Sequence, residues 1–451
     1  MRTRLFGWLF LLLFLTACGR VEPERWNVLF VTVDTLRADR MSLYGYRRPT
    51  TPNLEAFARE AVVFDNARTQ AGCTFPSVNS FLTSRHPALF LRPGGIMGIP
   101  DTVRSLPEIL REHGHATAAV SASSIVRNTP SRMNPGGGFG RGFQVFDETC
   151  NQKHARCLNQ KALELIDGFQ EPWFLYLHYL EPHSPYQPPP GHPRRLSLRT
   201  GRAKGQGVNA WARKGETWPV ARRLYDGNKE YKLTPQNLAH LSELYDEEIG
   251  YFDEQFARLI GALRERDLLD RTVIVLTADH GEELYDHKHF GHCRNLGYDT
   301  VMKTPLLLRI PGVEPARRKA LAENLDIVPT LLDYMGLAKG HTFEGKSLRP
   351  VIEEDRPVRR LSFSLQGVSR TVSDGTHKLI YDIASGDTHL YDLRTDPGEK
   401  TDLSERRPAE TGRLQAALLR WLEAREGPAA SGESKRRAEE LEKRLRALGY
   451  L

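Results

Sequence analysis

Two apolar segments, far apart in the chain, each end in side chains that can bind a metal ion. Residues 27–33 are followed directly by Asp34, and residues 273–278 are followed by Asp279 and His280. Apolar, β-branched runs of this kind are typical of strands that are buried on both faces of a parallel sheet. Because open α/β sheets bind ligands at the carboxyl ends of their strands, we expect the three side chains to converge on one divalent cation. Two carboxylates and an imidazole favour Zn²⁺ or Mn²⁺ over the all-oxygen cage of Ca²⁺.

Thr74 is a candidate nucleophile, because it lies just before Pro76 and Ser77 at the predicted start of a helix. A proline in the first turn presets the helix, and the free N–H groups there favour an anion. A threonine hydroxyl is a weak nucleophile at its normal pKa and needs a metal or a base. We therefore expect Thr74 to contact the same cation and to attack the central atom of an ester. The alternative is a helix-capping threonine without chemistry.

Two groups of histidines follow the predicted strands. The strand at 173–180 carries His178, and His183 lies in the proline-rich turn after it. Three more histidines lie in a short loop after His280: His287, His289 and His292. Such residues can act as ligands, as contacts for an anion or as general acids. The alternatives are a buried structural role for His178 and a surface position for each loop histidine.

Strand-like and helix-like segments alternate along most of the chain, which predicts an α/β fold. Strands are predicted at 115–122, 173–180 and 304–310, and helices at 106–113, 158–166, 238–266 and 326–335, in addition to the segments named above. After Pro350, four short alternating segments predict a small antiparallel sheet. Helices at 413–426 and 434–448 follow it.

We expect a catalytic domain at 26–349, a C-terminal subdomain at 350–426, and a linker with a charged helix at 427–451. A basic insertion at 190–235 is either a solvated surface segment or a rim that attracts an anionic substrate or lipid headgroups. The formal net charge of the chain is +7. Without a recognition helix or alternating aromatic and basic residues, this charge does not indicate nucleic-acid binding.

The first 18 residues are typical of a signal peptide, with Arg2 and Arg4 before a short apolar run. The run ends in residues that resemble a bacterial lipobox, so we expect Cys18 to be lipidated. The alternative is an ordinary cleavage site near Ala17. A lipid on Cys18 would anchor the protein outside the cytoplasmic membrane or at the outer membrane, on the periplasmic or cell-surface side. That compartment permits disulfides, and Cys150 and Cys157 are close enough to close a small loop.

Several segments, in this order, resemble the sulfatases of the alkaline phosphatase superfamily: 33–39, 44–46, 50–54, 74–84, 173–186, 279–292, 304–305, 326–331 and 390–397. The resemblance implies a central mixed, mostly parallel sheet sandwiched by helices, with a smaller C-terminal sheet. It also implies one divalent metal on Asp34, Thr74, Asp279 and His280, and a covalent intermediate. Motif spacing selects His287 and His292 as candidates that protonate the leaving group, and His183 as the contact for the anion.

Four positions depart from the family pattern. Thr74 stands where typical sulfatases carry the Cys or Ser that becomes formylglycine, so we expect no formylglycine here. Val78, Ser84 and Thr35 replace an arginine, a glycine and a second metal-binding aspartate. A threonine ester has no second hydroxyl and must be cleaved by attack at its central atom. Threonine nucleophiles resemble those of the phosphoethanolamine and glycerophosphate transferases of the superfamily.

These features predict a metal-dependent hydrolase of sulfate, phosphate or phosphonate esters, with an anionic glycan, lipid or small molecule as substrate. Ser77, Thr35 and His178 are expected to support the ligands from behind. One alternative is a phosphotransferase that modifies envelope lipids or glycans. Another is a catalytically silent binding protein, which Val78 and Ser84 favour.

Overall fold

The structure is a computed structural model and describes residues 25–90, 99, 101–150, 155–189, 192, 235–293 and 297–426. Cys18 and its signal peptide lie outside the described residues. So do most of the predicted insertion at 190–235 and the predicted linker and helix at 427–451.

Within the described residues, a nine-stranded sheet forms the centre of the molecule. The strands of the first three quarters of the chain are β1 (Asn27–Val33), β2 (Val62–Arg68), β3 (Ala116–Ser121), β4 (Val145–Asp147), β5 (Trp173–Tyr179), β6 (Thr272–Ala278), β7 (Glu283–Leu284), β8 (Phe290–Gly291), β9 (Lys303–Thr304), β10 (Leu306–Arg309) and β11 (Ala316–Glu323). The order in the sheet is β11-β2-β10-β6-β1-β5-β3-β4, with β9 beside β2. Strands β7 and β8 form a separate two-stranded ladder.

The central sheet is mixed and mostly parallel. Strand β1 is parallel to both β5 and β6, and β3 is parallel to β4 and β5. Strand β10 runs antiparallel to its neighbours β2 and β6. The parallel strands at the centre therefore end at the same edge, where the predicted metal ligands follow them.

The described helices are α1 (Pro52–Phe57), α2 (Thr74–Thr83), α3 (Leu106–Glu112), α4 (Ala155–Gly168), α5 (Pro235–Glu265), α6 (Asp299–Met302), α7 (Ile327–Tyr334), α8 (Arg349–Glu354) and α9 (Pro408–Glu426). Helices α4 and α5 pack on one face of the sheet, and α2, α3 and α7 pack on the other. Alternate residues of β1 belong to the two cores: Leu29 and Val31 to the first, Val28 and Phe30 to the second. Burial on both faces explains why residues 28–31 of this strand are all apolar.

A second, antiparallel sheet follows α8. Its strands are β12 (Ser362–Gln366), β13 (Ser369–Ser373), β14 (His377–Asp382) and β15 (Thr388–Asp392), paired in chain order. Helix α9 covers it through Leu414, Leu418 and Leu422, which form a small core with Val372 and Leu379. The predicted fold class, a mostly parallel sheet between helices with a small antiparallel sheet after it, is confirmed.

Sequence reasoning did not predict β2 and β11. Strand β11 alternates exposed or half-buried Arg317 and Lys319 with other side chains, which is a common feature of an edge strand. The predicted strand at 304–310 is divided into β9 and β10 at Pro305. No helix in the described part of the chain is long and apolar enough to cross a bilayer.

Candidate active site

The ends of β1 and β6 bring the predicted acidic ligands together. The two strands are adjacent and parallel, and Val33 pairs with Ala278. Asp34 and Asp279, which follow these residues, are therefore neighbours. The Asp279 side chain accepts the backbone N–H of Thr35, 244 positions away in the chain, at 3.2 Å. We call Asp34 and Asp279 the carboxylate pair.

One oxygen of each member of the carboxylate pair is held, and the other is buried without a hydrogen bond in the described structure. Asp279 Oδ1 accepts the backbone N–H groups of Thr35 and His280, whereas Oδ2 accepts none. Asp34 Oδ1 is buried and without a hydrogen bond in the same way. Buried carboxylate oxygens are costly unless something compensates their charge. Ligand atoms of Asp34, Asp279 and His178 lie within 4.8 Å of one another, so the two carboxylates are close enough to share one cation.

The electrostatics of the carboxylate pair also favour a cation. Burial and the nearby Asp34 carboxylate raise the pKa of Asp279. Burial alone would raise the pKa of Asp34, but His183 and His178 outweigh it and hold that pKa below its usual value. Two carboxylates in one dry site repel each other, and a divalent cation would relieve the repulsion.

His280 presents a lone pair to Thr74. Its Nδ1 lies 2.9 Å from the Gly281 carbonyl oxygen, to which it donates, so Nε2 is the unprotonated nitrogen. Burial lowers the pKa of His280, which keeps the ring neutral. Nε2 lies 3.2 Å from Thr74 Oγ1 and 3.4 Å from Asp279 Oδ2. A neutral imidazole anchored through its other nitrogen is the usual form of a metal-binding histidine.

Thr74 is the first residue of α2, and its side chain is buried at this edge of the sheet. Ser77, one turn later, donates from Oγ to the Asp279 carbonyl oxygen at 2.6 Å and lies 2.9 Å from Thr69 Oγ1. Ser77 therefore ties the start of α2 to the end of β6. The structure brings the predicted nucleophile Thr74 together with the predicted ligands Asp279 and His280.

His178 lies behind Asp34. Its Nδ1 is 2.8 Å from the Tyr176 hydroxyl, and its Nε2 is 3.2 Å from Asp34 Oδ2. If the hydroxyl donates to Nδ1, Nε2–H donates to Asp34, so both nitrogens are engaged. His178 then fits the predicted supporting role: it orients Asp34 and leaves Asp34 Oδ1 for a cation.

His292 is held by Glu282 on the other side of His280. Its Nδ1 donates to Glu282 Oε1 at 2.9 Å, while Nε2 is buried and without a hydrogen bond in the described structure. Burial lowers the pKa of His292, but the Glu282 carboxylate outweighs it and raises the pKa above its usual value. The His292 ring lies 4.5 Å from that of His280 and 5.0 Å from that of His183, between centroids. This arrangement is suited to a general acid that is oriented by a carboxylate.

His183 is half-buried, and its Nδ1 lies 2.6 Å from the Ser184 carbonyl oxygen. It contributes to the positive potential around Asp34 and Glu282. This position is compatible with the predicted contact to an anion.

The structure does not bring His287 into the site. Its Nδ1 lies 2.8 Å from Glu283 Oε1, its Nε2 lies 3.0 Å from the Gly398 carbonyl oxygen, and its ring stacks on Tyr298 at 3.6 Å. Both nitrogens face acceptors away from Thr74. Of the two general acids expected from the motif spacing, this geometry favours His292, while His287 joins the histidine-bearing loop to the C-terminal part of the molecule.

The positions that depart from the family pattern have structural explanations. Val78 is fully buried in the core beneath α2. Ser84 ends α2 in the left-handed region at φ 52°, and its Oγ donates to the Leu325 carbonyl oxygen at 2.7 Å. The hydroxyl contact gives Ser84 a structural role at the end of α2. Thr35 also has a positive φ, 58°, and its Oγ1 is buried without a hydrogen bond in the described structure. A β-branched residue in this region is strained, which is common at functional sites.

Sequence reasoning missed several residues of the site. Glu282 was not assigned as the partner of His292. Arg37, which is almost fully buried, binds Asp286 and the Glu282 carbonyl oxygen and so joins the loop after Asp34 to the loop after His280. No spacing rule predicts the contacts of Arg37, because Arg37 and its partners lie more than 240 residues apart along the chain.

The disulfides differ in how well the sequence indicated them. Cys150 and Cys157 are joined, as their short spacing suggested. Cys73 and Cys293 form a second disulfide across 220 residues, which was not expected. The backbone of Gly281 has no positive φ. Glycine is needed there because a Cβ would lie 2.0 Å from the Thr300 carbonyl oxygen.

Comparisons with known proteins agree with this geometry. The sequence profile of the sulfatase family matches residues 26–337, and the profile described as N-sulphoglucosamine sulphohydrolase, C-terminal, matches residues 286–425. The N-acetylglucosamine-6-O-sulfatase of Bacteroides thetaiotaomicron is 23% identical over 492 residues, which cover 89% of this chain and 86% of that protein.

Solved structures share the fold. A protein in complex with its substrate D-glucosamine-2-N,6-O-disulfate superposes with a TM-score of 0.69 at 19% identity, covering 92% of this chain and 98% of the other. The phosphonate monoester hydrolase of Agrobacterium radiobacter superposes with a TM-score of 0.70 at 19% identity, covering 88% and 95%. The family profile covers more than half of the chain. The chain therefore belongs to the sulfatase family of sulfuric ester hydrolases.

Proposed function

We propose that this protein is a metal-dependent hydrolase of sulfate esters whose nucleophile is the unmodified hydroxyl of Thr74. One observation carries the proposal: Thr74 Oγ1 lies 3.2 Å from the unprotonated Nε2 of His280, beside the uncompensated oxygens of the carboxylate pair. Membership of the sulfatase family supports the sulfate ester as the first substrate class.

Asp34, Asp279, His280 and Thr74 would hold one divalent cation, with Zn²⁺ or Mn²⁺ favoured by the mixed oxygen and nitrogen ligands. When bound, such a cation supplies Lewis-acid polarisation of the ester and lowers the pKa of a bound hydroxyl. His178 holds Asp34, and Ser77 holds the end of β6 against α2, so the protein fixes the ligands before a substrate arrives.

The proposed reaction has two steps: formation of a covalent intermediate on Thr74 and its hydrolysis. Thr74 reacts as the alkoxide, its hydroxyl proton having passed to solvent. Its Oγ1 bonds to the central atom as the bond to the leaving oxygen breaks, and the alkoxide is restored when the second step releases it. His292 gives its Nε2 proton to that oxygen, while Glu282 stabilises the imidazolium beforehand. In the second step, neutral His292 accepts a proton from the water that attacks the same central atom, and Thr74 is released. His183, half-buried beside His292, contacts the anionic group.

A second substrate class is favoured by the nucleophile itself. Threonine has one hydroxyl and cannot expel the bound group by forming an aldehyde, so the intermediate must be hydrolysed at its central atom. This route suits phosphate and phosphonate esters, and a phosphonate monoester hydrolase shares the fold. We propose an anionic glycan, lipid or small molecule as the natural ester.

Kinetics of two variants test the nucleophile. Thr74→Ala should lower turnover of 4-nitrophenyl sulfate, or of the phosphonate ester that the wild type prefers, by at least about 10³-fold. The matched control Thr74→Ser retains the hydroxyl and should keep activity within about 10-fold. Full turnover by Thr74→Ala, at unchanged metal content, would remove Thr74 from the mechanism.

Metal content tests the ligands independently of turnover. Elemental analysis of the purified protein should give one Zn or Mn per chain, and Asp279→Asn should lose it. Chelation should lower the Tm, because a cation that binds only the folded state stabilises it. Retention of the metal by Asp279→Asn would place the cation elsewhere.

We also propose that a lipid on Cys18 anchors the enzyme outside the cytoplasmic membrane. The lipobox-like residues before Cys18 are the support for this proposal. Metabolic labelling with a tagged fatty acid should modify the wild type but not Cys18→Ala, and detergent extraction should be needed for the wild type alone. Labelling of Cys18→Ala would contradict the proposal.

A further inference from the structure

We propose that the Cys73–Cys293 disulfide is a positioning cross-link that fixes the nucleophile Thr74 relative to the general acid His292. The inference rests on the proposed function, since it gives these two residues their roles. Cys73 directly precedes Thr74, and Cys293 directly follows His292. Their Cα atoms are 4.7 Å apart, and both cysteines are buried.

The two ends of the cross-link belong to parts of the molecule that are held by different partners. Residues 69–73, the nucleophile loop, are bound by strand β12 of the C-terminal sheet. The Leu365 backbone N–H donates to the Gln70 carbonyl oxygen at 2.9 Å, and Gln366 Oε1 accepts the Gly72 N–H at 2.9 Å. Movement of the C-terminal sheet would therefore carry the nucleophile loop with it.

The other end belongs to residues 282–293, the histidine loop, which leaves the central sheet after β6. This loop is fixed by Arg37, which binds the Glu282 carbonyl oxygen and Asp286. Besides the disulfide, a backbone hydrogen bond from the Cys293 N–H to the Gly72 carbonyl oxygen, at 2.8 Å, joins the histidine loop to the nucleophile loop. The covalent bond thus adds a fixed link between Thr74 and His292 to the hydrogen bonds that join the two loops.

This placement predicts an effect on one chemical step. A general acid must lie within hydrogen-bond reach of the leaving oxygen while the nucleophile is in line with the central atom, and errors of about 1 Å are costly. Loss of the cross-link should therefore harm esters that need protonation of the leaving group more than esters that do not. General destabilisation would lower both rates by the same factor, because it only reduces the amount of folded enzyme.

The test compares two disulfide-free variants of the full chain. Cys73→Ser/Cys293→Ser removes the proposed cross-link. Cys150→Ser/Cys157→Ser removes the other disulfide, which joins residues seven positions apart at the start of α4 and contains neither neighbour of Thr74 or His292. For each protein, kcat is measured for 4-nitrophenyl sulfate, which has a good leaving group, and for phenyl sulfate, which has a poor one. The corresponding phenylphosphonate monoesters are used where the wild type prefers them.

We expect the first variant to lower the ratio of phenyl to 4-nitrophenyl turnover by about 10-fold. This is less than the roughly 10²-fold or more that a general acid contributes, because the variant displaces His292 without removing it. The control should leave that ratio unchanged, even if its Tm falls. If the serine pair does not fold, Cys73→Val/Cys293→Ala fills the site with apolar groups and serves for the same measurement. An unchanged ratio in the folded cross-link variant overturns the proposal. Failure of the proposed function is distinct, because the wild type would then show no turnover that depends on Thr74.

Discussion

At the scale of the residue, we expect the pair formed by Glu282 and His292 to set how the rate depends on pH. The raised pKa of His292 comes from the Glu282 carboxylate, whose own pKa is lowered by His292 in spite of burial. The imidazolium is the form that protonates a leaving group, so the rate should fall as pH rises through the pKa of His292. The position of this basic limb therefore reports the contact between the two side chains.

Glu282→Gln should move the basic limb of the kcat profile to lower pH. The neutral amide no longer stabilises the imidazolium, so the pKa of His292 falls and the acid form is lost earlier as pH rises. Steady-state rates between about pH 5 and 9 show the limb. Glu283→Gln is the matched control, since Glu283 pairs with His287 outside the site. A basic limb at the same pH in wild type and Glu282→Gln would assign it to another group.

Gly281 is a second residue whose role is testable. An alanine Cβ there would lie 2.0 Å from the Thr300 carbonyl oxygen, so Gly281→Ala should reduce the free energy of unfolding by about 1–3 kcal/mol and lower kcat through His280. Gly261→Ala is the control, because that Cβ meets open space inside α5 and should add about 0.5–1 kcal/mol. Urea unfolding measures both. A stable, fully active Gly281→Ala protein would contradict the packing argument.

Residue types and strand ends were enough to predict Asp34, Asp279, His280 and Thr74 as one group. The convergence of Asp34, Asp279 and His280 follows from the parallel pairing of β1 and β6, whereas Thr74 reaches them because Ser77 ties the start of α2 to the end of β6. The choice between His287 and His292 was not predictable, because it depends on which acceptor each ring meets after folding. His287 meets Gly398, more than 100 residues later in the chain, and such a contact leaves no local pattern.

At the scale of the element, strand β12 supports the nucleophile loop from outside the central sheet. Ser364 and Gln366 of this strand bind Thr69 and Gly72, and Ala71 forms an isolated parallel bridge with Leu365. The C-terminal sheet is therefore bound directly to the loop that carries the proposed nucleophile. It completes the hydrogen bonds of a loop that the central sheet leaves unpaired.

Gln366→Ala should lower both the free energy of unfolding and kcat, because it removes one contact between β12 and the nucleophile loop. The variant leaves the buried Gly72 N–H without its acceptor, which costs about 1–3 kcal/mol of unfolding free energy. We also expect kcat to fall, because residue 73 leads directly into Thr74. Gln160→Ala on the exposed side of α4 is the control and should change neither quantity. Urea unfolding and turnover are measured together, and wild-type values for Gln366→Ala would exclude the role of β12.

The elements that the sequence did not reveal are those whose patterns conflict with their positions. Strand β11 contains Arg317, Arg318 and Lys319, which the edge of a sheet tolerates but a pattern search reads as a loop. The Cys73–Cys293 disulfide was equally hidden, because pairing between distant cysteines depends on the fold and not on their spacing.

At the scale of the whole molecule, a buried ionic cluster joins the C-terminal sheet to the central one. Lys378 of β14 lies 2.7 Å from Asp299 and 2.9 Å from Glu399, and Arg68 of β2 also pairs with Asp299. Lys378 and Glu399 are almost fully buried. Removal of one partner from such a group is costly, because it leaves a charge without compensation.

Lys378→Met should lower the free energy of unfolding by about 3–5 kcal/mol. The apolar side chain cannot balance Asp299 and Glu399, so the contact between the two sheets weakens. Lys161→Met is the control, since Lys161 forms an exposed pair with Glu164 on α4 and contributes little. Thermal and urea unfolding measure the stability of both variants. Equal stability of Lys378→Met and Lys161→Met would show that the cluster does not join the sheets.

The central claim is that an unmodified threonine forms the covalent bond to the substrate. The most direct test is mass spectrometry of the acid-quenched, metal-loaded enzyme after incubation with an excess of the 4-nitrophenyl ester that it hydrolyses. We predict one sulfate or phosphonate adduct, located by peptide fragmentation on Thr74, and none in Thr74→Ala. An adduct on another residue, or an aldehyde at position 73, would contradict the account.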